Sequence, residues 1–188
     1  MKIVTGSTGT AHVTSNNAGE FNQMIFGSDS LVSEIGQQLA ATIVNNNLIS
    51  IGDGDLLLQG RHALIEPGTS ESLEIDTGTV GSNRNDLIVA RYELDTNTGH
   101  ESISLVVIKG TESSGTATDP TYTTGDIRTG SPQVDFPLYR VRVEGVSIAG
   151  IDQLFIVESH RPNITAGTTD LTPGVSHLKS GDIYLVYS

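Results

Sequence analysis

The chain has 188 residues and a formal net charge of −12, with 10 Lys and Arg against 22 Asp and Glu. This charge excludes nucleic acid and anionic membranes as partners, because both require a field of Lys and Arg. Cysteine is absent, which excludes disulfides, thiolate metal sites and thiol catalysis. Charged residues make up only 17% of the chain, against the usual ~25%, and the surplus of Gly, Thr, Ser and Asn favours strands joined by tight turns.

The first 30 residues are rich in Gly, Ser, Thr and Asn around one apolar cluster, formed by Phe21, Met24, Ile25 and Phe26. Arms of this kind usually order only by packing on another surface. We therefore predict an extended N-terminal arm over residues 1–30, with the cluster as an interface to an adjacent protein or protomer. The start has no signal-peptide core, and no apolar run reaches the ~18 residues of a membrane span, so we expect a protein that is made in the cytoplasm and not exported.

The segment after the arm has two interpretations. Leu31, Ile35 and Leu39 have helical spacing behind Ser30, whereas Gly36 and the β-branched end of the segment favour a strand, which is the assignment we prefer.

A clearer pattern follows in residues 48–60, where two apolar stretches flank Asp53-Gly54. An Asp-Gly pair between apolar runs is a strong hairpin signal, so the sequence predicts a hairpin with its corner at these two residues. Two further strands are predicted at residues 61–66 and 72–76.

A second hairpin is predicted within residues 83–111, around a loop at residues 95–99. This pairing places residues 87–90 opposite residues 105–108, and both stretches are apolar at every position. A hairpin base with two apolar faces must be covered by a second sheet or by neighbouring subunits. The predicted interface residues here are Leu87, Val89 and Val107.

Residues 112–133 have no periodicity and read as a long loop or linker, which is the best candidate for a boundary. It would separate a β-rich core at residues 31–111 from a C-terminal β segment at residues 134–188. That segment either completes the core or forms a small second domain. The predicted fold class is all-β, an antiparallel sandwich or barrel-like fold with the N-terminal arm and at most one short helix.

The sequence contains no motif that indicates catalysis or a cofactor. The chain has five histidines, and none of them has a partner at the spacing of metal ligands: His12, His62, His100, His160 and His177. Asp53 and Asp55 lack the downstream acidic ligand of a calcium loop, since Leu64 stands there. We expect no enzymatic activity, no metal and no cofactor.

One group of charged residues flanks the doubly apolar strand. A buried Arg needs a carboxylate partner, so Arg84 or Arg91 paired with Asp86, Glu66 or Asp182 would fix the register of the strand. The alternative is a surface pair that contributes less than ~1 kcal/mol.

Five stretches of the chain carry a resemblance to a known class of proteins: residues 81–92, 105–111, 1–14, 53–60 and 172–187. They resemble structural proteins encoded in the tail modules of bacteriophages and prophages of Gram-positive hosts, namely upper-baseplate or tail-fibre attachment proteins. The resemblance implies a virion component without enzymatic activity. It also implies a homo-oligomer, with a trimer favoured, whose other partners are phage tail proteins.

The functional expectation is therefore a virion structural protein of a phage tail, baseplate or fibre base that acts by oligomerisation and docking. The alternative is a carbohydrate-binding module that recognises a host cell-wall glycan through loops 95–100 and 112–133. An enzyme that acts on wall polysaccharide through paired Asp and Glu is a third hypothesis. Aromatic residues make up 5% of the chain and Trp is absent, which disfavours a deep sugar cleft.

Overall fold

The computed structural model describes Val4, residues 13–158 and the backbones of residues 164–167 and 183–186. These residues are mostly β-strands with one short α-helix, which confirms the all-β sandwich or barrel-like class. The elements are α1 (Ser15–Phe26), β1 (Leu31–Ser33), β2 (Ala41–Asn45), β3 (Leu48–Leu58), β4 (Arg61–Glu74), β5 (Asn83–Leu94), β6 (Glu101–Ile108), a short 3-10 helix (Ile127–Thr129), β7 (Gln133–Glu144), β8 (Ser147–Gln153), β9 (Val157–Glu158), β10 (Ile164–Gly167) and β11 (Ile183–Val186).

The first sheet is organised around β3. Strand β4 pairs along one edge of β3, while β2 and β1 share its other edge and β9 pairs in parallel with β1. The predicted hairpin corner at Asp53-Gly54 is wrong, because β3 runs through both residues and turns at Gln59-Gly60 instead. The register with β4 shifts between Gly52 and Gly54, so the glycine-rich stretch makes an irregularity within a strand.

The side chain and backbone of Asp53 organise this irregularity. Its carboxylate accepts from Gly68 N (3.1 Å) and Gln37 N (3.3 Å), and its backbone oxygen accepts from Gln37 N (2.9 Å) and Leu39 N (3.3 Å). The segment between β1 and β2 is thereby held in turns, with Gly36 at φ +63°. The strand preferred for residues 31–44 is found only at the two ends of that segment, and its middle is neither strand nor helix.

The second sheet is antiparallel, in the order β6, β5, β7, β8. Its central hairpin has the predicted register, with Leu87 opposite Ile108 and Ala90 opposite Leu105. Strand β7 pairs with β5 on the other side, from Asn83 opposite Glu144 at one end to Glu93 opposite Gln133 at the other. The residues after the predicted linker therefore contribute a central strand to the sheet that the hairpin begins.

The core lies between the two sheets. The first sheet contributes Ile49 and Ile51, and the second contributes Ile88 and Val141, all fully buried. Along one side the sandwich is closed by a backbone hydrogen bond from Ile148 N to Asn46 O (3.1 Å).

The outer face of β5 is covered by residues 112–133, which we call the strap. Asp119 of the strap accepts from Arg140 Nε (2.6 Å) on β7 and Asn85 Nδ2 (2.9 Å) on β5. These bonds lower the pKa of Asp119, the Arg140 guanidinium being the main cause. Leu87 and Val89 share this face by strand alternation and are 1% and 0% exposed. The chain thus covers both faces of β5 by itself.

Residues 15–26 form helix α1, so the extended conformation predicted for this part of the arm is wrong. Thr14 caps the helix, because Asn17 N donates to its hydroxyl and Thr14 N donates to Asn17 Oδ1, each at 3.3 Å. The part of the chain that the structure describes contains no helix long and apolar enough to cross a bilayer. Residues 1–3 and 5–12 lie outside the described residues.

We expect the Asp53 carboxylate to contribute a pH-dependent part of the stability. Its hydrogen bonds, chiefly that from Gly68 N, lower its pKa from 3.8 in the folded state. The contribution is present above 3.8 and is lost as the pH falls through the lower folded pKa. Urea unfolding at several acidic pH values should give a flatter stability profile for Asp53→Asn than for the wild type. Asp29→Asn, a change at an exposed carboxylate, is the control and should keep the wild-type slope; equal slopes in all three proteins would contradict this role.

Candidate assembly surface

Helix α1 lies on the turn between β3 and β4 through its polar face. Gly19 is buried, Asn22 Nδ2 donates to Gly60 O (2.8 Å), and Gln23 Nε2 donates to Gln59 O (2.9 Å). The backbones are so close that a Cβ atom on Gly60 would lie 2.3 Å from Gly19 O. Glycine at both positions therefore allows this contact.

An ion pair and a hydrogen bond, both from arginine side chains, hold the same face of α1. Arg128 Nε lies 2.9 Å from Glu20 Oε1, and Arg61 contacts the Asn16 side chain. Arg61 also donates to Glu101 of β6 (3.1 Å), so one guanidinium joins the helix and both sheets. The orientation of α1 on the sandwich is consequently fixed by polar contacts.

The opposite face of α1 is apolar and exposed. Phe21, Met24 and Ile25 are 54%, 83% and 57% exposed, at i, i+3 and i+4 spacing, while Phe26 is half-buried. A surface helix normally turns its apolar stripe to its own core and its polar residues to water, and α1 does the reverse. Its single charged residue, Glu20, is paired with Arg128, and Phe21, Met24 and Ile25 themselves carry no charge. Such a surface can bury apolar area against another protein.

The structure divides the predicted interface residues into two groups. Phe21, Met24 and Ile25 lie together on the exposed face of α1. Leu87 and Val89 are buried under the strap of their own chain, and their shielding requires no partner. Val107 is half-buried and packs against the core of the sandwich.

The charged residues near the two ends of β5 form one fully buried and one partly buried ion pair. Arg84 and Asp86 are each 1% exposed and make a bidentate pair, with Nε to Oδ1 at 2.7 Å and NH2 to Oδ2 at 2.9 Å. Arg84 also donates to Asp76 O (2.6 Å), and Gly110 N donates to Asp86 Oδ1 (2.8 Å). The hydrogen bond to Asp86 is the main cause that raises the pKa of Arg84.

Arg91 pairs with Asp135, a partner that the sequence analysis did not name. Arg91 Nε lies 2.6 Å from Asp135 Oδ1, and Thr123 N of the strap donates to Asp135 Oδ2 (2.9 Å). Arg91 and Asp135 face each other in the β5–β7 register, so aligning the hairpin with the following strand would have revealed this pair. Among the other candidate partners, Glu66 is exposed on β4 and Asp182 lies outside the described residues.

The described residues contain no group of three or more ligands that could hold a metal ion. His62 Nε2 lies 2.7 Å from Asp55 Oδ2 at the surface, and His100 is exposed in the loop before β6. His12, His160 and His177 lie outside the described residues. Tyr92 is 2% exposed, and burial is the main cause that raises its pKa to about 12, so its ring offers no stacking platform for a sugar.

Comparison of the chain with known protein families found no matching family, and no curated protein matches it.

We expect Arg84→Met to destabilise the protein by about 3–5 kcal/mol, because the change leaves the Asp86 carboxylate buried without its cation. Urea unfolding should show that Arg84→Met with Asp86→Leu costs clearly less than Arg84→Met alone. Lys109→Met is the control, because it removes an exposed pair with Asp76. If the losses in free energy of unfolding from the two substitutions simply added in the double variant, the two residues would not act as a pair.

Proposed function

We propose that the chain is a virion structural protein of a phage tail, baseplate or fibre base that acts by oligomerisation and by docking to neighbouring virion proteins. The observation that carries the proposal is the outward apolar face of α1, formed by Phe21, Met24 and Ile25. A helix that contacts its own domain through its polar face and exposes its apolar face offers a binding surface for another protein. The resemblance in residues 81–92 and 105–111 supplies the class of assembly, and these residues fall mainly on β5 and β6.

Three helices around one axis suit this face better than two. A stable two-body interface buries about 800 Å² on each partner, and three side chains on a helix of 12 residues supply only part of that area. In a three-fold arrangement the face of each helix touches two neighbours, so the same side chains bury more surface. We therefore propose a homotrimer, with other tail proteins bound to it.

The α1 face is expected to control the oligomeric mass. Met24→Glu combined with Ile25→Glu places two carboxylates on the proposed interface and should shift the wild-type oligomer towards smaller species in light scattering coupled to size exclusion. The circular dichroism spectrum should not change, because neither side chain is buried. Val80→Glu is the control, since Val80 is 83% exposed, as is Met24, and lies in the loop before β5. A wild-type protein that stays monomeric up to high concentration would overturn the proposal of oligomerisation.

The virion assignment is tested on particles from the strain that encodes the chain. Mass spectrometry of purified particles should find the chain at a constant ratio to the other tail proteins, and gold-labelled antibody should mark the tail. Recovery only in the soluble fraction would contradict the assignment. A glycan array separates the alternative: a docking protein should give no signal, whereas strong binding to one wall glycan would favour a carbohydrate-binding module.

A further inference from the structure

Strand β6 is an edge strand without the usual protection. Within the described part of the chain it is hydrogen-bonded to β5 alone, and the register of this pair runs without a shift from Leu87 to Leu94. Residues 102–108 read Ser-Ile-Ser-Leu-Val-Val-Ile, with no charge, no proline and no glycine, and they are half-buried or exposed. Natural sheets guard such edges with charges, prolines or bulges, because an open edge pairs with other strands.

The outer strands β2, β4 and β8 of the same molecule each carry at least one of these devices; β2 has no charge, but its register shifts opposite β3. Strand β4 has Glu66, Pro67 and Glu71 along its exposed half and a register shift opposite β3. Strand β8 contains Asp152 and also has a register shift. The unprotected edge at β6 is therefore a local feature of this strand.

The charges at the two ends of β6 indicate what it pairs with. Glu101 stands immediately before the uncharged stretch and Lys109 immediately after it; within the chain Glu101 pairs with Arg61, and Lys109 makes an exposed pair with Asp76. Antiparallel pairing of β6 with β6 of a second copy, centred on Leu105, places Glu101 of each copy opposite Lys109 of the other. Parallel pairing in register would place Glu101 opposite Glu101 and Lys109 opposite Lys109, so neither residue would face a charge of opposite sign on the second copy.

The same centre matches the faces of the two strands. Leu105 lies opposite itself and Ile103 lies opposite Val107, so the core-facing residues of both copies fall on one side of the joined sheet. Ile103 and Leu105 line a mainly apolar slot together with Ala63 of β4, and Glu71 lies at the same slot. A second β6 strand would cover this slot.

We propose that two copies of the chain associate through antiparallel β6–β6 pairing over residues 102–108, which joins their second sheets into one continuous sheet. The contact is two-fold and uses a surface separate from α1. It is therefore tested independently of the proposed trimer; together, the two contacts would build an assembly larger than either contact alone.

Cysteine cross-linking tests the register, because the chain has no native cysteine. In this pairing Ser104 lies opposite Val106 of the second copy, with a Cα separation of about 4.5–5.5 Å, which a disulfide can bridge. A mixture of Ser104→Cys and Val106→Cys proteins of different tag length should oxidise to the mixed dimer. A mixture of Ser102→Cys and Ser104→Cys, four residues out of register and about 13 Å apart, should yield several-fold less. Equal yields from both mixtures, or no cross-link in either, would overturn the proposal.

A second measurement covers the case in which Val106→Cys does not fold. Ser102→Lys with Ser104→Lys places two charges on exposed positions of β6 and should lower the mass of the wild-type assembly in sedimentation velocity. Ser70→Lys with Ser72→Lys on the exposed half of β4 is the matched control and should leave the mass unchanged. The cross-link should also survive in the background of Met24→Glu and Ile25→Glu; its loss there would show that β6 makes no independent contact.

Discussion

The fold depends on one strand that must be covered on both faces. β5 carries four consecutive apolar residues, 87–90, so no orientation of the strand turns a polar face to water. The first sheet covers one face and the strap covers the other. The strap has no regular secondary structure of its own beyond a 3-10 turn, and it is held by contacts with β5 and β7 such as Asp119 with Arg140 and Thr123 with Asp135. The buried Arg84–Asp86 pair fixes one end of β5 and the Arg91–Asp135 pair lies towards the other, so polar contacts set the register and apolar contacts supply the burial.

Local patterns in the sequence predict the register of the β5–β6 hairpin, but they do not predict which segments cover it. The alternation around residues 95–99 gives the β5–β6 register directly, because pairing across a short loop has few alternatives. The Asp53-Gly54 pair predicts a hairpin corner that is not there, because the hydrogen bonds that fix Asp53 come from Gln37 and Gly68, which are remote in sequence. The strap could not be placed on β5, because a segment without periodicity gives no sign of the surface that it covers.

Helix α1 was missed for a related physical reason. Phe21, Met24 and Ile25 have helical spacing, but the helix is short, contains Gly19 and is capped by Thr14 and Asn17 without the usual Glu or Gln. The interface role proposed for it rests on composition as well as on exposure, since the apolar cluster stands among residues that build no core. The contact that orients the helix, Gly19 against Gly60, joins two glycines 41 positions apart and leaves no local signal.

The charge of the chain restricts where copies of it can meet. With a net charge of −12, two copies repel each other at the distances of direct contact, where salt screens least. The apolar face of α1 carries no charge, and the edge of β6 is uncharged between one Glu and one Lys of opposite sign. At both surfaces, apolar burial or backbone pairing therefore meets little electrostatic opposition. The acidic residues on the outer edge of β4 disfavour pairing of that strand with a second copy. The distribution of charge therefore favours β6 over β4 as the strand that pairs between copies.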